Sequence, residues 1–127
     1  MNTLLSIVSI GVGATVGASS RYYIGIISTQ YLGKGLPYGT LISNVIGSFI
    51  AGVLIVLVLE KLLLSETYRL MLLVGLAGSL TTMSALSIES IEMLIGGHYS
   101  QAFINILLNL LLSLAAASLG VVASKYV

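Results

Sequence analysis

The sequence predicts an all-α integral membrane protein: four transmembrane helices, the third of them broken, in a chain whose charges suit an antiparallel dual-topology dimer. Three observations predict it. Hydrophobic residues make up 57% of the 127 residues and charged residues only 7%, against roughly 25% charged in an average soluble domain. The mean hydropathy is +1.12. The charges, at Arg21, Lys34, Glu60, Lys61, Glu66, Arg69, Glu89, Glu92 and Lys125, leave charge-free runs at 1–20, 35–59, 70–88 and 93–124, close to or beyond the roughly 20 apolar residues that cross a hydrocarbon core. A single domain, residues 1–127, takes up the whole chain.

The spans fall at roughly 3–26, 38–60, 69–95 and 101–124. Span 1 ends near Arg21, which can snorkel to the interface. Residues 28–36 connect it to span 2, where Pro37 suits a helix start. Residues 61–68 form the second connection and 96–100 the third, with the pair Gly96-Gly97 as a helix stop. A transmembrane β-barrel would need short strands of alternating polarity, and Val53–Leu59 and Ile106–Leu112 do not alternate. No basic residue precedes the first apolar run, so no removable signal peptide is expected.

Orientation follows Lys and Arg. One end carries Lys61, Arg69 and Lys125, the other Arg21 and Lys34. Three against two is almost no bias, which permits insertion in both directions and an antiparallel dimer; a partner protein or lipid fixing one orientation is the other reading. Gly13/Gly17, Ser43/Gly47/Ala51, Ser48/Gly52 and Ala116/Gly120 lie at the spacing that lets helices approach closely in lipid, either within one bundle or between two chains.

The remaining composition excludes other classes. There is no cysteine, hence no disulfide or thiolate metal site. A net charge of +1 gives no basis for nucleic-acid binding. His98 falls in a predicted loop, and serines without a His or acid partner do not make a nucleophile. No enzymatic activity is expected.

Polar groups within spans are costly and face a pathway or a partner. Thr40, Asn44 and Ser48 share one face of span 2 at i, i+4 and i+8. The segment Gly75–Ser90 concentrates Gly, Ser and Thr, which weaken a helix. A break at bilayer depth is tolerated where the backbone is buried or lines a cavity, and its freed carbonyls can hold a cation. Asn105, Asn109 and Ser113 form a stripe on span 4, a donor ladder that packing alone does not require. Glu60, Glu66 and Glu92 fit membrane edges, and Glu89 lies just inside one.

These residues resemble the CrcB/Fluc family of small fluoride channels over nearly the whole chain. Gly17-Ala18 with Arg21-Tyr22 is similar to that family's GAxxRY. Pro37, Gly39-Thr40-Leu41, Asn44, Gly47-Ser48-Phe49 and Gly52 are similar to PxGTLxxNxxGSFxxG. Gly75, Gly78, Leu80-Thr81-Thr82, Ser84, Ser87 and Glu89 are similar to GxxGGLTTFSTFSxE, and Leu119-Gly120 closes the match. The resemblance implies an antiparallel dual-topology dimer in the plasma membrane, with two pores at the interface that export fluoride passively and relieve its toxicity. It also implies a structural Na⁺ at the dimer centre, held by backbone carbonyls of Gly78 and Thr81. Arg21 would lie at a vestibule, and the implied pore set is Asn44, Ser84, Met83, Leu86, Asn105, Asn109 and Ser113. Four of these depart from the family pattern. Met83 and Leu86 replace two phenylalanines, whose ring edges are electropositive. Asn105 stands at a tyrosine position and Asn109 at a serine position. Members of the family pair as homodimers or as heterodimers of unlike subunits, and the missing aromatics fit one half of a heterodimer.

Two rivals remain. A small proton-coupled multidrug transporter would need a carboxylate in span 1, and residues 3–20 have neither an acid nor an aromatic. A non-conducting partner subunit would fit Met83 and Leu86 but leaves the asparagine stripe unused.

Overall fold

The structure, a computed structural model, describes residues 2–126. Four helices are long and apolar enough to cross a membrane, and no strand occurs among the described residues. Helix α1 spans Thr3–Leu32. The Asn2 side chain accepts the Leu4 amide at 3.1 Å and caps its first turn. The helix does not end near Arg21 or at residue 26, as the charge pattern suggests. Nothing between Tyr22 and Leu32 stops it, and it runs on to Gly33, whose φ of 78° is open to glycine without strain. Thirty residues make about 45 Å of helix, longer than a hydrocarbon core of about 30 Å.

Helix α2 spans Tyr38–Leu59, with Pro37 as its N-cap. The third span, Glu66–Ile95, begins earlier than the expected residue 69. It has four parts: α3 (Glu66–Arg69), a π-helical segment (Leu70–Ala77), α4 (Gly78–Leu80) and α5 (Met83–Ile95). Thr81 and Thr82 between α4 and α5 are extended, with ψ of 153° and 117°. This is the break expected from the Gly, Ser and Thr content. Thr82 also restarts the helix, its side chain accepting the Ala85 amide at 3.2 Å. Helix α6 spans Tyr99–Lys125, starting just before the expected residue 101, after Gly97 at φ 78°.

Glycine decides how these elements pack. A Cβ at Gly13 would strike the Met71 carbonyl, one at Gly17 the Leu76 carbonyl and one at Gly75 the Ile10 carbonyl. These contacts seat α1 on the π-helical segment. A Cβ at Gly52 would meet Ala117, and one at Gly120 the Phe49 carbonyl, joining α2 to α6. The small-residue spacing in the sequence is therefore used inside one chain. The break lets the third span change neighbours: its first half lies on α1, whereas α5 lies on α6.

Large apolar side chains face outward, among them Leu4, Val12, Ile88, Leu110 and Leu119. Of the buried side chains among the described residues, ten are polar and eight apolar, so the interior is not an oily core. Tyr22, Tyr23, Tyr31, Tyr38 and Tyr99 gather at one end and Tyr68 and Tyr126 at the other, as aromatic belts do. Lys125 stands 3.8 Å from Glu60 and Arg69 2.6 Å from Glu66, which keeps these charges at the end assigned from sequence.

Candidate functional site

The break in the third span is held from the side by α2. Asn44 and Gly47 lie one helical turn apart. Gly47 leaves room for the Thr81 methyl group, and Asn44 grips the next residue. Its Oδ1 accepts the Thr82 amide at 2.7 Å, and its Nδ2 donates to the Thr82 carbonyl at 3.3 Å. In an unbroken helix that amide would bond the carbonyl of Gly78. Asn44 takes it instead, and Gly78 faces outward with only the Leu73 carbonyl, at 3.8 Å, near an added Cβ.

From Asn44 a chain of side-chain bonds crosses the bundle. Asn44 Nδ2 donates to Asn109 Oδ1 at 2.8 Å. Asn109 Nδ2 donates to Asn105, to its carbonyl at 2.9 Å and its Oδ1 at 3.1 Å. Asn105 Nδ2 donates to Ser90 Oγ at 3.1 Å. All four side chains are buried, so each bond also spares the desolvation cost of an orphaned group, about 1–3 kcal/mol. One turn before Asn44, Thr40 donates to Glu89 Oε1 at 2.6 Å, while Glu89 Oε2 has no partner. The face shared by Thr40, Asn44 and Ser48 thus points at the third span.

Beside this network an open groove of about 440 Å³ runs along the chain at the height of the break. Its polar wall is Asn44, Ser48, Thr81, Thr82, Asn109 and Ser113; its apolar wall includes Met83, Leu86, Ile106 and Leu110. No charged residue lines it. Ser113 Oγ, on the same wall, is buried without a partner. Met83 is 73% exposed and Leu86 6%, so the two positions that carry phenylalanine in the resembled pattern differ sharply in access.

The structure gathers Asn44, Thr81, Met83, Leu86, Asn109 and Ser113 on this groove. It does not bring the other candidates there. Asn105 lies behind Asn109 with its amide turned toward Ser90, which a helix stripe in the sequence cannot reveal. Ser84 is exposed and bonded to the Thr82 hydroxyl at 3.1 Å, outside the groove. Arg21 lies on α1 against Tyr22, Gly25 and Thr29, and α1 contributes nothing to the groove wall. Ser90 closes the Gly75–Ser90 run in the sequence, but spacing gave no sign that it would partner Asn105 of α6. Among the described residues, no cluster of His, Cys, Asp or Glu fits a metal ion.

Comparison with known proteins places the chain. The family described as "CrcB-like protein, Camphor Resistance (CrcB)" matches residues 8–121. A protein of Sulfurihydrogenibium sp. named fluoride-specific ion channel FluC is 44% identical over 91% of this chain and 94% of its own length. A Roseiflexus sp. protein of the same name is 42% identical over the same shares. One from Clostridium perfringens is 38% identical over 94% of each chain. With a match that runs from the first helix into the last, this chain belongs to the CrcB-like family.

Proposed function

We propose that this chain conducts fluoride passively across the plasma membrane as one half of a dimer, and so relieves fluoride toxicity. The observation that carries the reading is the groove wall: uncharged hydroxyls and amides beside a helix break, in a chain whose relatives are named fluoride-specific channels. Fluoride is small and strongly hydrated. A path for it must replace water with hydrogen-bond donors yet release the ion easily, and neutral donors do both where a fixed cation would trap it. The work is ion transfer along these donors, with no covalent step.

The groove is open on one side and lacks α1. A second subunit inserted in the opposite sense would close it and bring its own α1 and Arg21 to the mouth. The near-even Lys and Arg count supports that arrangement. Gly78 and Thr81 fit the proposed central Na⁺: the Gly78 carbonyl has lost its helical donor to Asn44, and carbonyl oxygens suit a hard cation. When bound, the ion would supply charge to offset those dipoles.

A second reading concerns the partner. Met83 and Leu86 give no aromatic edge to an anion, and the exposure of Met83 leaves space for a ring from an unlike subunit. Proton-coupled drug export is disfavoured, because α1 carries no carboxylate and the groove wall carries none either.

The test is efflux from liposomes holding the purified chain, fluoride against chloride. Fluoride is expected to leave far faster, and Asn44→Leu to cut its rate about tenfold or more, the equivalent of one lost donor worth about 1.4 kcal/mol. Equal rates for the two ions, or full flux through Asn44→Leu, would overturn the reading. Flux that needs an added related subunit would identify a heterodimer.

A further inference from the structure

We propose that Asn109 is a positioning residue that locks the polarity of the Asn44 amide, so that the groove meets Asn44 through its NH₂ group and not its oxygen. The proposal rests on the conduction reading above and adds a specific role for a residue that, on spacing alone, would be one more donor to the ion.

The two ends of an amide side chain differ little in shape, so only their partners decide which way they face. Here the partners are unambiguous. The Thr82 N–H can only donate, and it meets Asn44 Oδ1 at 2.7 Å. The Asn105 carbonyl can only accept, and it meets Asn109 Nδ2 at 2.9 Å. These two backbone groups lie at opposite ends of the Asn44–Asn109 pair and demand the same sense. Asn109 must turn its NH₂ toward Asn105, which turns its Oδ1 toward Asn44, which receives the Asn44 NH₂ at 2.8 Å.

The consequence lies in which hydrogens remain for an anion. The Asn109 NH₂ is turned to Asn105, donating to its carbonyl and to its Oδ1. Asn109 lines the groove, yet its NH₂ is directed at Asn105 and its oxygen at Asn44. Asn44 has two hydrogens of unequal hold: one on Asn109 at 2.8 Å, the other on the Thr82 carbonyl at 3.3 Å. The longer, weaker bond is the one an anion displaces. Once it has, Asn44 is anchored to Thr82 only through its oxygen. Asn109 then keeps the amide from turning over and showing the ion an acceptor.

Two variants separate this role from plain space-filling. Asn109→Leu keeps the volume and removes the acceptor. Asn109→Ser shrinks the side chain but keeps an oxygen that can back-bond to the Asn105 carbonyl, as helical serines do, and still accept from Asn44. A filler role predicts that the leucine variant is the milder one. The polarity lock predicts the reverse: Asn109→Ser keeps fluoride efflux within about threefold of the parent, and Asn109→Leu loses about tenfold or more. A second measurement needs no ion. In the full chain in nanodiscs, hydrogen exchange should show the Asn109 side-chain NH₂ protected. Thr82 amide protection should fall about tenfold in Asn109→Leu but not in Asn109→Ser. Full efflux through Asn109→Leu, equal losses in both variants, or rapid exchange of the Asn109 hydrogens in the parent would overturn the lock. Protection as expected in a parent that passes chloride as fast as fluoride would overturn the fluoride reading and leave the lock standing.

Discussion

Polar side chains in this protein fall into those with partners and those without, and the difference matters more than their number. Asn44, Asn105 and Asn109 are tied to one another and to backbone, so they shape the groove more than they fill it. Ser113 is the contrast, a buried hydroxyl with no partner on the groove wall. Removing it orphans nothing and relieves a buried unpaired hydroxyl, so Ser113→Ala should not lower stability and should raise it by up to about 1–3 kcal/mol. It should still slow fluoride efflux a few-fold, because a free donor is lost from the path. A matching fall in stability, or unaltered efflux, would show that Ser113 does not serve the ion. Sequence spacing placed Asn109 and Ser113 on one face correctly. It could not tell that Asn105 turns toward Ser90, since periodicity gives the direction of a side chain and not the identity of its partner.

Among the elements, glycine contacts set the architecture. A Cβ at Gly120 would run into the Phe49 carbonyl, whereas one at Gly11 would meet nothing within 4 Å. Gly120→Val should therefore force α2 and α6 apart, cost about 1–3 kcal/mol or more, and move the protein toward the aggregated fraction in gel filtration. Gly11→Ala should be neutral or gain up to about 1 kcal/mol from helix propensity. If both variants elute and melt alike, the α2–α6 seam is looser than its geometry. Four spans were legible because nine charges mark the ends of long apolar runs, and the break was legible because Gly75–Ser90 is rich in residues that leave helices readily. The π-helical turns at Leu70–Ala77 were not, because Leu-Met-Leu-Leu-Val is equally at home in an α-helix. Nor was the true length of α1: Arg21 looked like a terminus, yet lies well inside a helix that ends only where Gly33 allows it.

For the molecule as a whole, the scarcity of charge leaves its orientation poorly specified. The chain has no cysteine, so Gly35→Cys, in the exposed connection before α2, would carry the only thiol. Dual insertion predicts that an impermeant maleimide labels about half of it in sealed cells and the rest after permeabilisation, as a balance of three cations against two implies. Labelling that is complete or absent before permeabilisation would fix a single orientation. The distribution of polarity has a thermal consequence as well. With serine, threonine and asparagine inside and leucine and isoleucine outside, folding within a bilayer or micelle hides little hydrocarbon from water. Unfolding should then bring only a small rise in heat capacity, where soluble domains show a large one. Its free-energy curve against temperature should be shallow, without the loss of stability on cooling that a fading hydrophobic effect imposes.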